Sequence, residues 1–168
     1  MQVPIRKPDR YTHQKSDPRL TPAKLVEFQQ KLKRLKEQRP RLAEEVKRLS
    51  ETGDFSENAG YQTAKARLRG MNQRILELEE QISHAEIIAP AGDVSRVQLG
   101  HRVTVEIDGT QATYQILGSA ETDPSQGVIS HNSPIGSALM GRRVGDVFTF
   151  GSVAKTIKCR VVRIEMTR

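Results

Sequence analysis

The apolar positions of the first half of the chain fall into two series. The first runs Leu25, Phe28, Leu32, Leu35, then Leu42, Val46 and Leu49, with Arg39 in the one seam position that is not apolar. The second runs Tyr61, Ala64, Leu68, Met71, Ile75, Leu78, Ile82 and Ala85 without a break. Steps of three and four in alternation are the a/d pattern of a narrow helical seam. Thr21-Pro22 supplies an N-cap and a first-turn proline for the first helix. Pro40 lies inside that helix and is expected to bend it, because it removes one ladder bond. Ala89-Pro90-Ala91-Gly92 closes the second helix. Two narrow seams of similar length joined by a short link fold back as an antiparallel hairpin. Residues 21–89 are therefore expected to form a coiled-coil rod, each arm roughly 45 Å long at about 1.5 Å per residue, with its tip at 51–58.

Beyond Arg102 the period changes to two. "RVTVEI" and "ATYQILG" flank Asp108-Gly109, a strong hairpin-turn dipeptide. "GVISH", "DVFTF" and "TIKCRVVRI" read as further strands, and "SPIGSALM" as a short helix capped by Ser133 with Pro134 at its first position. Residues 92–168 are thus expected to form a small α+β domain with an antiparallel sheet. Residues 1–20 show neither period. They carry Pro4, Pro8 and Pro18 and five basic residues against Asp9 and Asp17, and read as a disordered basic arm.

Charge changes this picture at one place. The 168-residue chain has 27 Lys and Arg against 20 Asp and Glu, a formal net charge of +7. Yet Leu49 to Ala64 carries Glu51, Asp54 and Glu57 and no base. Two readings of this stretch stand side by side. Asp54-Phe55-Ser56-Glu57 has the form of a capping box for the second helix, with acids favoured by the helix macrodipole. Alternatively, two carboxylates three residues apart face one cation. Mg²⁺ takes six oxygens, so two acids on an exposed tip make half a site that a partner completes. The bases along the rod likewise either solvate its outer face or follow a nucleic-acid backbone. Arg39 has its own expected role, pairing across the hairpin with Glu77, Glu79 or Glu80. Other chemistry is thin. The four histidines are scattered, Cys159 stands alone, and no apolar run approaches the ~20 residues of a membrane span. A soluble cytoplasmic protein is expected.

Gly53-Asp54-x-Ser56-Glu57-Asn58-Ala59-x-Tyr61, followed by Lys65, resembles the tip motif of the bacterial transcript cleavage factors GreA and GreB. "GHRVTVEIDG…TYQILG…GVISHNSPIGSALMGRRVGDV" resembles the FKBP-like domain of the same family, and Arg39-Pro40 has a counterpart in its first helix. The likeness covers about residues 20–166, and "RLRGMNQRI" is somewhat closer to GreB. It implies a monomeric transcription elongation factor that inserts its coiled coil into the secondary channel of RNA polymerase. There it stimulates Mg²⁺-dependent cleavage of a backtracked nascent RNA 3′ segment, a two-metal hydrolysis. The factor is then no enzyme by itself but lends ligands to the polymerase. By the same resemblance Asp54 and Glu57 are the metal-coordinating pair, and Ser56 and Asn58 orient the tip or the attacking water. Arg48, Lys65, Arg67 and Arg69 contact the RNA. Ser133, Pro134, Ile135, Leu139 and Gly141 dock at the channel rim. The chain departs from the family at Gly60, where many members carry an acid. That departure motivates an alternative, a channel-binding inhibitor of the same fold without cleavage. Free nucleic-acid binding is a further alternative. Prolyl isomerisation is disfavoured, since only Tyr114, Phe148 and Phe150 are on offer to line an aromatic pocket.

Overall fold

The structure is a computed structural model that describes residues 17–51, 59–89, 92–152 and 155–167. Helix α1 (Pro22–Ser50) begins at Thr21, whose extended backbone and side-chain oxygen, accepting from Lys24 N at 3.2 Å, make the expected cap. It runs through Pro40 as one helix. The missing donor costs a single ladder bond on an exposed face, and the turns on either side are held by the seam. Helix α2 (Ala59–Ser83) packs along it. Every apolar seam position named above is buried or half-buried, whereas Arg39 is exposed. Arg39 does reach across the hairpin, but its Nε donates to Asn72 Oδ1 at 2.7 Å rather than to a glutamate. A cross-hairpin ion pair is made instead by Lys36 with Glu79, at 2.6 Å.

The base of the hairpin differs from expectation. Helix α2 ends at Ser83, short of Ala89, and the chain turns into strand β2 (Glu86–Ile87). Strand β1 (Arg19–Leu20) lies parallel to it, with Glu86 N donating to Pro18 O and Ile88 N to Leu20 O. The arm expected at 1–20 is therefore ordered at its last four residues, and its remainder lies outside the described residues. The reason is Leu20. Its side chain is 2% exposed and joins Phe28 and Leu78 in a small core that closes the base.

The second module is a five-stranded sheet in the order β5-β4-β3-β7-β6. Its strands are β3 (His101–Ile107), β4 (Thr110–Leu117), β5 (Val128–Ser130), β6 (Val147–Ser152) and β7 (Lys155–Met166). The β3–β4 turn has positive φ at both Asp108 (49°) and Gly109 (80°), the combination that suits the right-handed twist of a two-residue hairpin. One pair is not antiparallel as expected: β5 runs parallel to β4. The segment between them crosses over through 3₁₀ turns at Ser119–Glu121 and Pro124–Gln126. Helix α3 (Pro134–Leu139) has Ser133 as its cap, its Oγ accepting from Gly136 N at 3.1 Å. The core under the sheet is aliphatic, built on Val103, Val105, Ile116, Leu139 and Val161 with Phe148 and Cys159.

Candidate functional site

The expected site lies where α1 and α2 approach the tip. Asp54, Ser56, Glu57 and Asn58, and with them the proposed capping box, fall outside the described residues. Their flanks are described. Helix α1 ends at Ser50, whose Oγ donates to Lys47 O at 2.6 Å, and Glu51 follows as its C-cap. Lys47 and Arg48 sit in that last turn, where cations favour the negative end of the helix dipole. On α2, Lys65 places its ammonium 5.4 Å from the ring centre of Tyr61, within cation–π range. Lys65, Arg67 and Arg69 are all exposed. Helical spacing brings Lys65 and Arg69 to one face and turns Arg67 away from it.

Along α2 the charges separate by sign. From Ala59 to Arg74 the ionised side chains are Lys65, Arg67, Arg69 and Arg74; from Ile75 to Ala89 they are Glu77, Glu79, Glu80 and Glu86. The two blocks meet at Arg74, whose guanidinium donates to Glu77 at 3.0 Å. Glu77 is held below the ordinary glutamate range, first by a hydrogen bond from Gln73 and then by Arg74. Helix α2 thus presents bases toward the tip and acids toward the base, whereas α1 carries bases along its whole length. Among the described residues no cluster of three or more His, Cys, Asp or Glu is placed to hold a metal. The two carboxylates expected as ligands, Asp54 and Glu57, are hard oxygen donors of the type Mg²⁺ takes and would supply two of its roughly six positions.

The expected docking residues of the sheet domain divide. Pro134 and Gly141 are exposed, and Ile135 packs partly against the core. Leu139 is 0% exposed and belongs to the core, so its assignment to a docking surface is corrected. As the last residue of a six-residue helix lying on the sheet, it must point inward for α3 to pack at all. The Ser133 hydroxyl is occupied locally, since it caps α3 and donates to Ser130 O at 2.7 Å. Phe148 is likewise buried, with the Arg142 guanidinium 5.5 Å from its ring centre, and Tyr114 and Phe150 pack against the same core. The three aromatics fill the domain instead of lining a cleft. Burial raises the Cys159 thiol pKa, with Asp108 adding to the effect, which leaves it an inert core residue.

One group of polar residues is invisible to sequence reasoning. Asp17, Arg19, Thr21, Ser119, Glu121 and His131 meet where the hairpin joins the sheet domain. The Thr21 cap was readable from local sequence, but its partner Glu121 is 100 residues away and carries no local signal.

Residues 90–166 match the family described as Transcription elongation factor, GreA/GreB, C-term, and residues 19–87 match Transcription elongation factor, N-terminal. A transcription elongation factor GreA from Thermomicrobium roseum is 38% identical over 133 residues, 78% of this chain and 85% of the relative. This chain belongs to the GreA/GreB transcription elongation factor family. A GreA from a Roseiflexus species is 40% identical over 130 residues, 76% of this chain and 83% of the relative. Among solved structures, GreA factor homolog 1 (Gfh1) of Thermus thermophilus is 30% identical, covering 89% of this chain and 99% of that one, with a TM-score of 0.42. The family matches divide the chain as the fold does, into a helical hairpin and a sheet domain. Among the described residues no helix is long and apolar enough to cross a membrane.

Proposed function

We propose that this chain enters the secondary channel of RNA polymerase and stimulates cleavage of backtracked RNA, rescuing arrested complexes. The observation that carries the proposal is the pair Asp54 and Glu57 in the link between α1 and α2, flanked on both helices by exposed cations. The carboxylates act as hard oxygen donors and leave four or so positions of a six-coordinate ion to the polymerase and the RNA. Bound there, Mg²⁺ supplies charge stabilisation and a water activated for attack on the phosphodiester. Ser56 and Asn58 donate and accept hydrogen bonds that orient the tip or that water. Lys65 and Arg69, on one face, hold displaced RNA phosphates, with Arg48 across the hairpin. Arg67 serves a different surface. Pro134, Ile135 and Gly141 remain the rim contacts of the sheet domain. On this reading the chain is no nuclease alone.

The test is RNA cleavage in a purified, backtracked bacterial elongation complex with the unsubstituted chain and Asp54→Asn side by side. Cleavage with the former and loss of about a hundredfold or more with the latter is the expected outcome, the scale of removing one charge-stabilising group from a polar active site. A rate indifferent to Asp54→Asn contradicts the role. Gly60 supports a second reading, channel entry that inhibits without cleavage; slowed elongation with no cleavage by either protein selects it. The GreB-like character of Arg67–Ile75 is tested in the same assay by the lengths of RNA released, compared with a GreA and a GreB on the same complex.

A further inference from the structure

The junction between hairpin and sheet domain contains a helix cap shared by both. The first turn of a helix leaves N–H groups without intrahelical partners, and the residue before it normally satisfies them alone. Here Thr21 Oγ1 accepts from Lys24 N and itself donates to Glu121 Oε2 at 2.6 Å, while Thr21 N donates to Glu121 Oε1 at 2.7 Å. One carboxylate from the sheet domain thus takes two donors from the start of α1. Two bonds from one rigid group fix direction as well as distance, and its negative charge lies at the favoured end of the helix dipole.

Two further contacts hold the same joint. Asp17 is 6% exposed at its side chain and accepts from Ser119 N at 2.8 Å and Ser119 Oγ at 3.1 Å, with His131 Nδ1 3.4 Å away. Arg19 donates to His131 Nε2 at 2.8 Å. Gly118 lies directly against the backbone of Arg19, so that a Cβ at 118 collides with the Arg19 carbonyl. That glycine is required by the close approach of the two modules.

We propose that Glu121 is a positioning residue: by completing the cap of α1 from the sheet domain, it sets the angle at which the hairpin leaves that domain and so where the tip carboxylates arrive. The inference rests on the proposed function and follows from the length of the lever. Helix α1 has 29 residues, about 43 Å, so a 10° error at its base moves the far end by about 7 Å. A misplacement of ~1 Å already costs a reacting centre on the order of a hundredfold. A rod that lends metal ligands at one end must be held stiffly at the other.

The experiment uses the full chain with Gly70→Cys and Gln111→Cys, both at exposed positions, as sites for a pair of spin labels. Cys159, 1% exposed, is not expected to take label. The unsubstituted junction is expected to give one narrow distance distribution. Glu121→Ala is expected to broaden it by several ångströms, on the scale of the ~7 Å swing above. Glu121→Gln should keep it narrow, because its amide oxygen accepts from Thr21 N and its amide N–H donates to Thr21 Oγ1. Gly118→Ala, acting through a different contact, should broaden it as well. In the cleavage assay Glu121→Ala should lower the maximal rate about tenfold or more and leave the half-saturating protein concentration within about twofold. A merely unstable protein would instead raise the half-saturating concentration, because only its folded fraction binds, and leave the maximal rate at saturation unchanged. Distributions as narrow in Glu121→Ala and Gly118→Ala as in the parent overturn the proposal, and so does a broadened one with undiminished cleavage. If the parent itself fails to cleave, the functional reading falls, and the distance distributions alone decide whether Glu121 orients the hairpin.

Discussion

The hairpin and the sheet domain solve the problem of burial in opposite ways. The sheet domain closes one core beneath five strands and a short helix, with Val103, Val105, Ile116, Leu139 and Val161 all inaccessible. The hairpin has only a seam. Its buried cluster of Leu20, Phe28 and Leu78 sits at the base, and nearer the tip Ala64 and Ile75 are the fully covered seam residues among those described. A two-helix rod cannot surround its apolar face, since each helix has one neighbour. Its order is therefore anchored at the end that touches the sheet domain. Cohesion belongs to the sheet, reach belongs to the hairpin, and the junction couples them.

The sharpest way to break this division is in the two cores. Leu139→Ala should destabilise the sheet domain by about 3–5 kcal/mol, since a fully enclosed site collapses poorly around a cavity, and chemical denaturation should register it as a global loss. Leu78→Ala should cost about 2–4 kcal/mol. Hydrogen exchange should place that loss in α1, α2 and the β1–β2 pair while the amides of β3 and β7 stay protected. Equal loss of protection in both modules would erase the distinction. Thr21→Ala removes the cap oxygen and should lower stability by about 1 kcal/mol, with fraying of the first turn of α1 visible by the same exchange measurement. Arg39→Ala should change stability by no more than about 0.5 kcal/mol, because its bond to Asn72 lies at an exposed position. The smallest effect is expected from acid. Asp123 is held below the ordinary aspartate range, first by the Ser125 hydroxyl. Its contribution is therefore complete above the unfolded-state value near 4 and fades as pH falls through the lower folded value. Asp123→Asn should flatten that part of the pH–stability curve, with its small loss of stability present at neutral pH and absent in acid, where the unsubstituted chain has lost the same contribution.

What was legible in the sequence follows the range of each interaction. The seam of α1 and α2 was readable because each helix repeats its own pattern, and Asp108-Gly109 and Ser133-Pro134 announced their turn and cap within a few residues. Strand β1 was not readable. Two residues form no period, and Leu20 is buried only because Phe28 and Leu78 are brought to it. The parallel pairing of β5 escaped for a similar reason, since it depends on a crossover whose path is set by tertiary contacts. Leu139 shows the converse error, a residue in an apparently exposed motif that the helix turns inward. Glu121 and Gly118 had no local signature, because they matter only through residues about 100 positions earlier, the Thr21 cap of α1 and the Arg19 backbone of β1. The tip acids stood out by charge alone, and the family resemblance supplied the role proposed for them.

Whether the tip lends metal ligands is decided by the Mg²⁺ dependence of cleavage at saturating protein in the backtracked complex. If Asp54 and Glu57 hold the ion as proposed, Glu57→Gln raises the Mg²⁺ concentration for half-maximal cleavage at least about tenfold, the scale on which loss of a group that merely supports a metal's ligands weakens its binding, and leaves affinity for the polymerase unchanged. The same Mg²⁺ dependence in Glu57→Gln and the unsubstituted chain would contradict that role.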